Sequence, residues 1–168
     1  MSDPVPFRPE RGDSWDPLRP QGGRVDHPKL LLVEDDPNDV FMLQRALGSA
    51  KFECSLEVVR DGQEAREFLE PLTAPAGNIQ TAPSLLLLDL KMPRLDGFEF
   101  LEWLRGQPQL RRIITIVLST SSRPEDVNRA YDLGANCYLQ KPIGAAEYVR
   151  LVRNFYEFWV NVNRSAPK

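Results

Sequence analysis

Histidine and cysteine are almost absent: one His and two Cys in 168 residues. The only histidine, His27, lies in a proline-rich N-terminal stretch, and Cys54 and Cys137 are far apart and belong to no Cys-x-x-Cys pair. Zinc ligation by these residues and a disulfide framework are therefore not indicated, and both thiols read as inert side chains of a folded interior. Clustered positive charge is also missing. The chain has 21 basic and 24 acidic residues, net −3, and no run of Lys or Arg, so nucleic acid and anionic lipid are not expected partners. Apolar runs such as Leu85 to Leu88 stop at four residues, short of the roughly 20 that a membrane helix needs. The N-terminus has no positive start followed by an apolar core, so a cytoplasmic location is expected.

What is present is a 42% hydrophobic composition of ordinary globular kind. Of the 15 prolines, Pro4, Pro6, Pro9, Pro17, Pro20 and Pro28 fall at the very start, together with Gly12, Gly22 and Gly23. Residues 1–28 cannot bury enough surface to offset their ordering entropy and read as a flexible tail. Phe7, Trp15 and Leu18 are the side chains of that tail that could dock elsewhere. The folded unit is expected over 29–162, with 163–168 as a short C-terminal tail.

From Leu30 onward, short apolar runs alternate with helical stretches, the pattern of successive βα units around a parallel sheet. Strands are expected at Leu30 to Val33, Leu56 to Val59, Leu85 to Leu88, Ile113 to Leu118 and Cys137 to Leu139. Asp36 and Pro37 suit the N-cap and first position of a helix carrying Val40, Leu43 and Leu47 on one face. Asp96 with Glu99, and Ser122 with Glu125, have the spacing of capping boxes. Helices from Gln63 to about Leu72 and from Gly144 to about Val162 complete a (βα)5 order. The segment Pro71 to Pro83 reads as a long surface connection. The expected class is α/β, a doubly wound five-stranded parallel sheet.

In such sheets function collects at the carboxyl ends of the strands. Those ends carry Glu34, Asp35 and Asp36, then Asp89, then Ser119 and Thr120, then Lys141 and Pro142. Carboxylates about 4 Å apart repel by roughly 1 to 4 kcal/mol per pair, so the cluster calls for a cation. Mg²⁺ prefers hard oxygen ligands and is commonly held by one or two carboxylates and a phosphate oxygen.

Four segments carry a family resemblance: Leu31-Leu32-Val33-Glu34-Asp35-Asp36-Pro37, Leu88-Asp89-Leu90-Lys91-Met92-Pro93-Arg94-Leu95-Asp96-Gly97, Val117-Leu118-Ser119-Thr120 and Tyr138-Leu139-Gln140-Lys141-Pro142. In order and spacing they resemble the receiver domains of two-component response regulators, with the flavodoxin-like receiver fold. The resemblance implies that Asp89 accepts a phosphoryl group from a phosphohistidine of a sensor histidine kinase. It implies Mg²⁺ held by Glu34, Asp35, Asp89 and the backbone carbonyl of Lys91, with Lys141 and Ser119 on phosphoryl oxygens. Ser119 and Tyr138 would form the switch, Tyr138 turning into space that Ser119 vacates, and Lys141-Pro142 would be a cis peptide. The chain would be a phosphoacceptor with at most self-catalysed phosphorylation and dephosphorylation, not an enzyme acting on other substrates.

Glu34 and Ser119 stand where Asp and Thr are common in that family, Asp36 reads as a cap, and Lys91 and Ser121 occupy positions that tune phosphoryl lifetime. With only Asn163 to Lys168 after the last helix, output is expected through protein contacts. On a helical wheel the apolar and aromatic residues of the last helix span roughly 200°, more than one sheet face requires. Tyr148, Val152, Phe155, Tyr156 and Trp159 are thus candidate interface residues of a homodimer through the fourth helix, fifth strand and fifth helix. The Val-Glu-Asp-Asp-Pro start, the long connection before the third strand and Phe158-Trp159 look most like regulators paired with bacterial phytochromes. Two other classes compete. A flavodoxin-like FMN carrier is disfavoured by the acidic first loop, and an Asp-nucleophile Mg²⁺ phosphatase by Lys91 two positions after Asp89, where such enzymes carry an acid.

Overall fold

A computed structural model describes residues 28–158. Five strands, β1 (Lys29–Val33), β2 (Ser55–Val59), β3 (Leu85–Leu88), β4 (Ile114–Ser119) and β5 (Cys137–Gln140), alternate with α1 (Pro37–Ser49), α2 (Gly62–Leu69), α3 (Gly97–Gly106), α4 (Pro124–Asp132) and α5 (Ala145–Phe155). All pairings are parallel, in the order β2-β1-β3-β4-β5, as the doubly wound expectation requires.

The apolar strands are buried because helices cover both faces. Leu30, Leu32, Leu85, Leu87 and Ile116 pack with α1 and α5, whereas Leu31, Val33, Leu86, Leu88 and Val117 pack with α2, α3 and α4. Alternate residues of one strand thus serve two separate cores. Edge strand β2 differs, with Ser55 and Glu57 exposed and Val59 buried.

The expected caps of α1 and α3 form. Asp36 accepts Asn38 N–H at 2.8 Å ahead of Pro37, and Asp96 and Glu99 close a reciprocal capping box. The cap of α4 is a correction. The helix begins at Pro124 with Arg123 in the N-cap position and no side-chain cap. Pro124 fits the first helical position because its missing N–H needs no partner there, and Ser121 reaches forward in place of Ser122, its Oγ donating to Asp126 at 2.5 Å. Helix α2 ends at Leu69, earlier than expected, and passes into a 3-10 turn, Glu70–Thr73, since Pro71 cannot donate the next helical bond. The connection that follows is partly ordered against the core: Leu72 and Ile79 pack on the α2-α3-α4 layer and Ala82 is buried.

The aromatic surplus of α5 resolves in an unexpected way. Tyr148, Val152 and Phe155 are at most 3% exposed and belong to the α1–α5 core, so they are not interface residues. Helix α1 and Phe52 cover that arc; the Phe52 ring lies 6.1 Å from Phe155 and 4.5 Å from Tyr156. Trp159, the expected helical stretch from there to about Val162, and residues 1–27 and 163–168 of the expected tails lie outside the described residues. Among the described residues no helix is long and apolar enough to cross a membrane, and Cys54 and Cys137 are free and half-buried.

Candidate functional site

Strand register builds the site. Val33 lies opposite Leu88, so Glu34 and Asp89 leave neighbouring strands side by side; Ser119 lies opposite Gln140, so Lys141 follows at the same edge. Backbone bonds continue past the strand ends and fix these residues: Glu34 N–H to Val59 O at 2.9 Å, Asp89 N–H to Val33 O at 3.0 Å, and Lys141 N–H to Ser119 O at 2.8 Å. This edge borders the point where strand order reverses around β1, the customary ligand position in open α/β sheets.

Carboxylate oxygens of Glu34, Asp35 and Asp89 lie within 4.8 Å of one another, two of the side chains buried and Asp35 exposed. Three hard anionic oxygens at that spacing fit a divalent cation. Asp36 does not join them, since its side chain caps α1. The Lys141 ammonium, 6% exposed, contacts Glu34 Oε2 at 2.7 Å, Asp39 Oδ2 at 2.8 Å and Asp89 Oδ2 at 2.9 Å. Burial opposes its charge, but hydrogen bonds to Asp39, Glu34 and Asp89 prevail and hold its pKa above the ordinary lysine range. For Glu34 burial wins: its pKa is pushed up to about 7 despite the pull of Lys141, with the Asp89 charge adding to the rise.

Asp89 is buried, and its Oδ1 accepts Leu90 N–H at 2.6 Å. Behind it the chain turns so tightly that a Cβ on Gly97 would stand 2.2 Å from the Asp89 carbonyl oxygen and 2.7 Å from Leu90 Cα. Ser119 is fully buried, and its Oγ accepts Ser121 N–H at 3.2 Å. The half-buried Tyr138 ring packs on the α2-α3-α4 layer, with its hydroxyl donating to Ser121 O at 2.9 Å. One chain of contacts thus joins Ser119, Ser121 and Tyr138. The expected cis bond before Pro142 is a correction: the described residues contain no cis peptide, in keeping with the trans preference that even X-Pro bonds retain.

Sequence reasoning missed two groups here. Asp39 lies in the first turn of α1 and joins Lys141 to Tyr148, whose hydroxyl donates to Asp39 Oδ1 at 2.9 Å. An acid three residues beyond the Asp36 cap, in the first turn of α1, was the available signal. Asp61 is 1% exposed, caps α2 by accepting Gln63 and Glu64 N–H, and binds Arg94, which also reaches Glu64 at 3.1 Å. Burial opposes the Asp61 charge, but those backbone bonds and the Arg94 guanidinium hold its carboxyl below the ordinary range. Arg94 has φ +63°, an unusual conformation for a long side chain, and ties the β3–α3 turn to α2.

Carboxylates and an ammonium converging on the carboxyl edge of a doubly wound sheet fit a phosphoryl-handling site with room for a divalent cation rather than a flavin cradle. Residues 30–153 match the response regulator receiver domain model, and the chain belongs to that family. It is 35% identical to Response regulator Rcp1 of Synechocystis sp. over 133 residues, 78% of this chain and 88% of that protein. The crystal structure of the Mn²⁺-bound form of Rcp1 superposes with a TM-score of 0.72 at 32% identity, covering 83% of this chain and 99% of that one. The phosphorylated cyanobacterial phytochrome response regulator RcpA gives 0.69 at 38% identity, with 79% and 94% covered. The bacteriophytochrome response regulator RtBRR gives 0.63 at 34% identity, with 84% and 85% covered. The chain is therefore a signalling receiver of the phosphoacceptor type, similar to phytochrome response regulators, and neither the flavin carrier nor the phosphatase is favoured.

Proposed function

We propose that Asp89 is the phosphoacceptor of this receiver, that Mg²⁺ is its cation, and that a phytochrome-type sensor histidine kinase is its donor. The observation that carries the reading is the convergence of Glu34, Asp35, Asp89 and Lys141 at one strand edge. A carboxylate oxygen of Asp89 attacks phosphorus; the P–N bond of the phosphohistidine breaks, its electron pair stays on the imidazole nitrogen, and that nitrogen takes up a proton. Glu34 and Asp35, with Asp89 and the Lys91 carbonyl, would hold the cation, which supplies charge neutralisation at the phosphoryl oxygens. Lys141 contacts one phosphoryl oxygen as a point charge and Ser119 donates its hydroxyl to another. Ser121 and Tyr138 are positioned to register the movement of Ser119, a local event with a wider readout.

Incubation with Mg²⁺ and acetyl phosphate, followed by mass analysis, is expected to give one base-labile phosphoryl adduct that is absent from Asp89→Asn. An adduct that persists in that variant overturns the assignment. A cytoplasmic location belongs to the same reading. So does a homodimer through α4, β5 and α5, now resting on the exposed Tyr131 and Ile143, with Phe158, rather than on the buried aromatics. Sedimentation that shows only monomer at micromolar concentration, with and without acetyl phosphate, removes the dimer.

A further inference from the structure

Asp39 has no place in the scheme just given, yet its geometry is specific. The Lys141 ammonium has three donors, and Glu34, Asp39 and Asp89 take all three. Two of those acceptors belong to the carboxylate group that fits a divalent cation, and Asp39 does not. An ammonium and a divalent ion repel each other and compete for the same oxygens. Once a cation occupies Glu34 and Asp89, the remaining carboxylate within reach of Lys141 is that of Asp39.

Asp39 is also held for such a role. It lies in the first turn of α1, where the helix end favours negative charge. Its Oδ1 accepts the hydroxyl of Tyr148, a side chain 2% exposed on α5, so its Oδ2 is directed at Lys141. The anion is therefore fixed from two helices that share one core.

We propose that Asp39 is a positioning residue of the phosphoryl site: it draws Lys141 away from the metal ligands when a divalent cation binds and holds the ammonium ready for the phosphoryl oxygens, with Tyr148 locking it in place. The proposal rests on the metal reading given above. Without Asp39 the ammonium has only the metal ligands as carboxylate partners, so it competes with the cation more strongly. The effect of Asp39 on metal affinity must then pass through Lys141.

A double-mutant cycle read by calorimetric titration of the full chain with Mg²⁺ alone tests this. Asp39→Asn is expected to weaken Mg²⁺ binding about fivefold to tenfold, and Tyr148→Phe, which keeps the charge, about twofold to threefold. Lys141→Met is expected to bind Mg²⁺ more tightly than native protein, and Asp39→Asn on that background is expected to change nothing beyond about twofold. A loss of the same size in both backgrounds overturns the proposal, because Asp39 would then act on the ion directly through its charge. So does an Asp39→Asn affinity equal to native. Native protein that binds no Mg²⁺ overturns the metal reading together with the proposal, an outcome distinct from native binding with an inert Asp39.

Discussion

Gly97→Ala is expected to destabilise the protein by about 3 kcal/mol and to slow phosphoryl uptake from acetyl phosphate roughly a hundredfold. The added methyl would sit 2.2 Å from the Asp89 carbonyl oxygen, and backbone, unlike the end of a flexible side chain, cannot swing aside. The chain relaxes by pushing apart the start of α3 and the end of β3, the segment that aims the Asp89 carboxylate. The Gly97 N–H bond to Leu90 O, 3.1 Å, belongs to the same turn and is strained with it. Urea unfolding and the rate of adduct formation check the two effects separately. Native behaviour in both would show that the turn opens without moving the nucleophile.

Lys141→Met is expected to lose about 3 to 5 kcal/mol of stability in metal-free buffer, because two buried carboxylates, Glu34 and Asp89, and the part-buried Asp39 lose their counter-charge. The deficit depends on pH with a definite sign. Glu34 has a folded pKa of about 7 against an ordinary 4.5, so the fold favours its protonated form. In native protein its stabilising contribution is complete below that ordinary value and is lost as pH rises through about 7. Removing the ammonium takes away the pull that lowers Glu34 and lifts that carboxyl further, so the variant falls furthest behind native protein above that pH and recovers as acid neutralises Glu34. Saturating Mg²⁺ replaces the lost charge and closes most of the gap. Urea unfolding in EDTA and in Mg²⁺, at about pH 6 and about pH 8, gives the four values needed. A deficit insensitive to both metal and pH would show that Lys141 acts through packing alone.

Strand ends were the most legible part of the sequence. Apolar runs fix where β1 and β3 stop, and parallel register then brings Glu34 and Asp89 together without further information. Caps were legible where one side chain had one plausible backbone partner, as at Asp36 and Asp96. At α4 two serines competed, and Pro124 decided which residue preceded the helix. The face of α5 was misjudged because a wheel counts apolar residues and cannot say what covers them. Phe52, from the loop after α1, is invisible to any periodicity in α5. Asp39 and Tyr148 are far apart in sequence, and only the packing of α1 on α5 makes them partners.

The clamp of Arg94 on Asp61 and Glu64 makes the pocket mechanically lopsided. On that flank the segment following Asp89 is braced by ionic bonds to a capped helix, one of whose partners is buried. On the opposite flank the Ser119 hydroxyl oxygen accepts a single 3.2 Å bond from Ser121 N–H, and the same hydroxyl would donate its proton to a phosphoryl oxygen. Asp89 is therefore linked on one side to a directly clamped turn, and on the other only through Ser119 to a turn braced further out by Ser121, Asp126 and Tyr138. On the proposed reading, displacement would pass into the β4–α4 turn and on to Tyr138, whose hydroxyl is bonded to Ser121 O, and the message would have a direction before any partner arrives.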